Sequence, residues 1–300
     1  MPWFPKKGEE LMKIGSKEHQ ELFCQSFMTS YLEYEPEKLP WPDLDDADLE
    51  RLRGIPFWEE ALSTEREAGM MVSAFAETVS EPTITAAIAL QGKEETRHAR
   101  LLEFLIDHYN IQISERPVPK LPQNIEQAFI DFGFGECLDS FFAFGMFGLA
   151  RQARYLPEPL FTIFEPILDE EARHIVFFIN WVTYLQIQQG RGAGGWRATH
   201  ALWHYGRAIH HLIQAFGSAA DASGEGFTVT GASTFMNDLT PELFLSMTLQ
   251  ENARRMSAFD RRLLQPKLLP RLSAIALRIL RILPQRQPSA KISVLEPQQH

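Results

Sequence analysis

Only two cysteines, Cys24 and Cys137, occur among the 300 residues. So few exclude a disulfide framework and any thiolate-rich metal site, and a reducing compartment such as the cytosol is expected. Long apolar runs are missing too. No stretch approaches the ~18 residues that cross a bilayer, and the opening MPWFPKKGEE lacks the apolar centre of a secretory leader. Strand signals are scarce: the reading finds no Asn-Gly or Asp-Gly hairpin and no sustained alternation of apolar and polar residues. Positive charge is short overall. A formal net charge of −10 argues against general nucleic-acid binding, which needs a basic face.

What remains is helical and rich in core-forming residues. Hydrophobic residues make up 45% of the chain and phenylalanine alone contributes 22 positions, enough for a sizeable core. Helical periodicity predicts a short helix near 17–33 and four long ones over 56–80, 83–109, 123–154 and 158–189. Further helices are predicted over 194–219, 241–257 and 268–283. The stretch EPEKLPWPDLDD reads as a proline-broken loop, and 221–234 as a Gly/Ser/Thr loop. Pro117, Pro119 and Pro122 mark a longer connection between the second and third long helices. Pro166 either kinks the fourth or marks its true start. Two helix pairs joined by one long crossover form an all-α four-helix bundle layout. The organisation follows: an acidic lead-in over 1–55, a bundle core over 56–190, additional helices over 191–260 and a basic amphipathic tail over 261–300. That tail carries eight Lys/Arg and one Glu, which leaves about −17 on the rest of the chain.

Within the second and fourth long helices one pentapeptide is written twice, EETRH at 94–98 and EEARH at 170–174. Residues three apart share a helix face, so Glu95 sits beside His98 and Glu171 beside His174. A carboxylate next to an imidazole suits iron or manganese, which accept mixed oxygen and nitrogen ligands. Two such pairs complete a di-metal site when each of two other helices adds a Glu. The third long helix is nearly all apolar around GFGECLDSFFAFG. There Glu136 is costly to bury unless paired or metal-bound, with Asp139 one turn on as its competitor. The first long helix offers Glu65 and Glu67 at similar heights. Glu65 is preferred because Ala68 and Gly69, three and four residues on, are small and apolar as an inward face would be.

The set Glu65, Glu95/His98, Glu136 and Glu171/His174 follows the pattern E…ExxH…E…ExxH. In this the chain resembles the ferritin-like di-metal carboxylate superfamily. That group includes ribonucleotide reductase small subunits, multicomponent monooxygenases, arylamine N-oxygenases and rubrerythrins. The surroundings are similar as well: E-x-E-A from Glu65, Glu136-Cys137, and D-E-E-x-R-H ending at His174. The resemblance covers about 56–190. It implies that Glu94 holds His174 and Glu170 holds His98 through hydrogen bonds to the metal-bound imidazoles. It implies two iron ions, or an iron/manganese pair, and an O2-dependent oxidase or oxygenase acting on a small, largely apolar organic substrate. Expected partners are O2, that substrate and a separate electron donor or reductase, since no Cys pair or nucleotide fingerprint is present. No nucleic-acid partner is expected. A homodimer stays open, as does a membrane or protein contact through 261–300. Two other readings stand beside it: an iron-handling protein, as a ferroxidase or peroxide scavenger, and a non-catalytic helical binding module.

Other conspicuous residues have plainer readings. Arg97 and Arg173 are expected to pair with acidic neighbours. His200, His204, His210 and His211 are read as structural or surface residues. The phenylalanine-rich helix is core first. Phe132, Ala143 and Phe144, with Ala68 and Gly69, are candidates to line an apolar pocket beside the metals. Cys137 is expected to be a buried small residue.

Overall fold

The computed structural model describes residues 12–114, 120–223 and 240–282, with side chains from 211 to 223 left aside. All regular structure among the described residues is helical. Helix α1 spans Lys17–Thr29, α2 Asp46–Arg53, α3 Trp58–Ala76, α4 Pro82–His108 and α5 Ile125–Gln152. Then come α6 Glu158–Gln188, α7 Gly194–Ser223, α8 Pro241–Met256 and α9 Leu268–Ile282. A short 3-10 turn, Pro36–Lys38, follows α1.

Local sequence sets most of these limits. Side chains that accept from the first free backbone N–H groups start several helices. Ser16 caps α1, Asn124 caps α5 and Thr240 caps α8. Glu81 accepts from Ile84 N at 2.7 Å and precedes Pro82 at the start of α4, where the missing proline N–H costs nothing. Two expectations change. Helix α2, which the predicted set lacks, begins at the last residue of the proline-broken stretch and is started by Asp45, whose carboxylate accepts from Asp48 N at 2.8 Å. Helix α7 runs to Ser223, so 221–223 are helical, while 224–234 of the expected loop lie outside the described residues. Pro166 sits within α6, which starts eight residues earlier, at Glu158.

The course of the four long helices follows from their contacts. Gly69 of α3 meets Thr96 of α4, and Gly92 of α4 meets Ser73 of α3, so these two helices run antiparallel. A Cβ at Gly92 would stand 2.9 Å from Ser73 N, and one at Gly69 3.0 Å from Thr96 N. Glycine is therefore what lets the two backbones approach this closely. Phe134 packs on Phe178 and Phe147 on Phe161, so α5 and α6 are antiparallel as well. Phe75 stacks on Phe129 at 4.5 Å while Glu65 faces Glu136, which opposes α3 and α5. Helices α4 and α5 thus run the same way, and residues 109–124 link the end of one to the start of the other.

The main core is aromatic. Phe23, Phe75, Phe129, Phe141, Phe144, Phe177 and Phe178 are essentially sealed from solvent, each worth about 1.5–3 kcal/mol by burial. A second core, with Leu52, Ile55, Trp58, Leu62 and Leu105, ties α2 to α3 and α4. Helices α7 and α8 pack on α5, and α9 packs on α8.

Candidate metal centre

The two written copies meet across α4 and α6. His98 and His174 are both buried, and their rings face each other at 5.9 Å. His98 Nε2 lies 2.8 Å from Glu170 Oε2, and His174 Nε2 lies 2.9 Å from Glu94 Oε2. Each copy therefore holds the histidine of the other. The second oxygen of each glutamate takes the other copy's arginine: Arg97 Nη2 donates to Glu170 Oε1 at 2.6 Å, and Arg173 Nη2 to Glu94 Oε1 at 2.7 Å. All six side chains are buried, so these charges are stable only because every one of them is paired and hydrogen-bonded.

The segment after α1 closes this braced side. Arg97 donates to Leu32 O at 2.7 Å and to Tyr31 Oη at 3.1 Å, and Arg173 to Ser30 O at 3.0 Å. Tyr34 donates to Glu170 Oε2 at 3.2 Å and lies under the Arg97 guanidinium. Phe27 of α1 packs on His174. Sequence reading placed none of these lead-in residues at the centre. Gln91, whose Nε2 donates to Glu95 Oε1 at 3.1 Å, was missed too, although it lies one turn before Glu95 on the same face.

With each Nε2 bonded outward, each Nδ1 points to the middle. His98 Nδ1 is 3.2 Å from Glu171 Oε1, 3.5 Å from Glu65 Oε2 and 3.7 Å from Glu95 Oε2. His174 Nδ1 is 3.1 Å from Glu95 Oε1 and 3.6 Å from Glu171 Oε2. Two ligand groups result, Glu65/Glu95/His98/Glu171 and Glu95/Glu136/His174, each with its donor atoms within 4.8 Å of one another. Glu95 belongs to both. The Glu171 carboxylate stands close enough to Glu136 to raise it. Glu67 is exposed and takes no part, and Asp139 belongs to neither group.

Among the described residues, four buried atoms of the six inward Glu and His side chains have no hydrogen-bond partner: His98 Nδ1, His174 Nδ1, Glu136 Oε2 and Glu171 Oε2. Buried polar atoms are normally satisfied, so four orphans converging from three helices call for an explanation. A cation at the middle supplies one, and the mixed carboxylate and imidazole set fits iron or manganese. Electrostatics agree. Burial opposes a charged His98, but Glu170 and the inward carboxylates raise it well above the usual imidazole range. His174 is raised likewise, against burial, by Glu95 and Glu171. Burial, helped by the Glu171 and Glu95 charges, pushes Glu136 well up. Burial also raises Glu65 to about 8. Glu95 moves the other way, to about 2, since His174 outweighs its burial. Without a cation, these shifts would place protons where a cation would otherwise sit.

The two sides of the cluster differ in access. The imidazoles and their braces are shut from solvent, while the Glu65 side chain keeps 21% of its surface and Glu171 keeps 12%. Asp139, beyond Glu136, stands in a recess: solvent reaches it, yet surrounding protein and the Glu171 charge raise it to about 6.

The remaining expected site residues have varied placements. Ala68 is buried and Gly69 packs against Thr96, at the α3–α4 contact. Phe144 is buried under the Arg255 guanidinium, and Phe132 and Ala143 are half-buried. His204 donates from Nδ1 to Asp131 at 2.7 Å and lies 3.1 Å from His200, stacked on Phe134. The side chain of His211 lies outside the described residues. Both cysteines are free and buried, and burial raises each thiol to about 12, so neither is a ready nucleophile. Among the described residues no helix is long and apolar enough to cross a membrane. Compared with protein-family models, curated proteins and solved structures, the chain matches none of them.

Proposed function

We propose that this chain is a ferritin-like di-metal carboxylate protein that uses O2 to oxidise a small, largely apolar organic molecule. One observation carries the reading. Two imidazole Nδ1 atoms without partners converge with carboxylates from four helices, and each imidazole is pinned from behind by the opposite copy. The helix directions support it, since α4 and α5 run the same way as a bundle with one crossover requires.

Glu65, Glu95, His98, Glu136, Glu171 and His174 would hold two iron ions, or one iron and one manganese. Bound metal would supply electrons to O2 and the oxidising power that no side chain has. The chain does the rest. Glu94 and Glu170 fix both rings with Nδ1 inward. Arg97 and Arg173 hold those carboxylates in place. Segment 30–34 and α1 exclude water from the imidazole side. Glu65, Glu136 and Asp139 leave the opposite side to incoming molecules and protons.

One observation favours a second reading, iron handling. The part-exposed carboxylates meet solvent directly, as an incoming ferrous ion would need, and a 520 Å³ cavity among the described residues is lined by residues outside the centre. The deciding experiment is anaerobic loading with ferrous iron, metal analysis and addition of O2. About two metals per chain and O2 uptake limited to one event per centre, until an organic substrate and reductant are supplied, support the oxygenase. Continued oxidation of added ferrous iron supports iron handling. No metal and no O2 uptake overturns both.

A further inference from the structure

Helix α9 carries two apolar faces where a helix packed on one neighbour needs one. Leu269, Ser273 and Leu277 are buried inward. Leu272, Ile275, Ile279 and Ile282 are 51%, 52%, 53% and 82% exposed. At 100° per residue these four fall within an arc of about 80° on the outside of the helix. Beside that arc stand Arg271 and Arg278, both exposed and, among the described residues, neither in an ion pair. Arg281, turned toward α8, is paired with Glu242 at 2.9 Å. From 261 to 282 the sequence has six Lys/Arg and no acid, in a chain of net charge −10.

A cavity of about 520 Å³ opens between α8 and α9 next to this face. Arg261, Lys267 and Arg271 line it, and none of the three forms an ion pair among the described residues. Met256 and Phe259 give it apolar wall. Asn252, 6% exposed, adds an amide whose Oδ1 has no partner. Three cations around one hollow are placed to hold an anion, and the Asn252 oxygen is placed to accept from a hydroxyl on the same ligand.

We propose that α9 is a membrane-contact helix: its outer Leu/Ile stripe lies in the surface of an anionic bilayer, and the cavity takes a lipid headgroup phosphate. Charge decides between this occupant and a second copy. Two copies meeting face to face across the stripe would bring Arg271 and Arg278 against the same residues of the partner, whereas anionic lipid neutralises them. A helix with an apolar face bordered by cations, too short to span, lies in the interface plane. This inference does not depend on the metal centre.

The test is co-sedimentation of the whole protein with vesicles of phosphatidylcholine alone, and of phosphatidylcholine with phosphatidylglycerol at about 3:1, at low and high salt. Binding is expected only to the mixed vesicles and is weakened by salt. Arg271→Ala and Arg278→Ala should each cost about fivefold. Ile275→Asp with Ile279→Asp should abolish binding while helicity and metal content stay unchanged, since both side chains point outward. Binding that is equal for both vesicle types, or unchanged in the double variant, overturns the proposal. So does a dimer that the double variant splits and that ignores vesicles. So does binding of free glycerol phosphate by a protein that does not sediment with vesicles, which would make the cavity a site for a soluble anion.

Discussion

Helices α4 and α6 serve the cluster differently from α3 and α5. The first two each supply Glu-Glu-x-Arg-His, and their inward ligands are backed by buried partners on the other helix. The second two each supply one carboxylate, Glu65 or Glu136, raised by burial and facing the more open side. Fixed imidazoles keep the cluster assembled when it is empty. Less constrained carboxylates can rotate, take up protons and admit what comes from outside. Rigidity and access are thus assigned to different helix pairs.

Breaking the braced pair should have the largest effect. Glu94→Ala leaves Arg173 and His174 buried without their partner, which costs about 3–5 kcal/mol. A fall in thermal midpoint together with loss of metal is expected, with Glu170→Ala matching it across the pseudo-symmetric site. The other pair should respond in the opposite sense. Glu136→Gln removes a carboxyl that burial and neighbouring charges strain, so the metal-free protein should melt no lower, or higher, while bound metal drops well below two per chain. Equal destabilisation by both substitutions would erase the distinction.

Acidity sharpens the same contrast. Glu65 has a folded value of about 8, above its unfolded one. In such a group the folded state holds the extra proton, so its stabilising contribution is full below the unfolded value and is lost as pH rises through the folded one. Glu136 shifts in the same direction. Metal-free protein should therefore melt progressively lower from about pH 5 to about pH 8. Metal-loaded protein should resist this change, because loading expels those protons and grows stronger with pH. A flat melting profile for the metal-free form would show that the open-side carboxylates are not proton-loaded. The smallest effect belongs to Glu67→Ala, within about 0.5 kcal/mol and with full metal content, because the side chain is exposed. Glu65→Ala should lose metal.

Legibility followed the same division. The ExxH pairs are local: three residues on a helix define a face whatever the rest of the chain does, so Glu95/His98 and Glu171/His174 could be paired on paper. Glu136 stood out as an acid in an apolar helix. Choosing Glu65 over Glu67 rested on the small, apolar Ala68 and Gly69 that follow it on the same helix face. Tyr31, Tyr34, Leu32 O and Ser30 O could not be read this way. They follow α1, which ends at Thr29 although helical periodicity carries on to about 33, and two of them act through backbone carbonyls, which carry no side-chain signature. Helix α2 was hidden by the prolines before it, although Asp45 and Gly54 frame it as a start and a stop. The partners of Arg97 and Arg173 were foreseen only as a class, because an arginine reaches several acids and spacing does not choose among them.

The reciprocal holding of the two copies also bears on synthesis. Glu94, Arg97 and His98 leave the ribosome 76 residues ahead of their counterparts, a wait of about 4–15 seconds at ordinary elongation rates. During that interval Glu94 and His98 have not yet met their α6 partners, while Arg97 has the Tyr31 hydroxyl and the Leu32 carbonyl to bind. The nascent chain is consequently open to water and to stray cations at the very positions that later become the most secluded. Release of α6 ends that interval in one step, so a truncated product lacking it would be a ready substrate for proteases rather than a smaller version of the same protein.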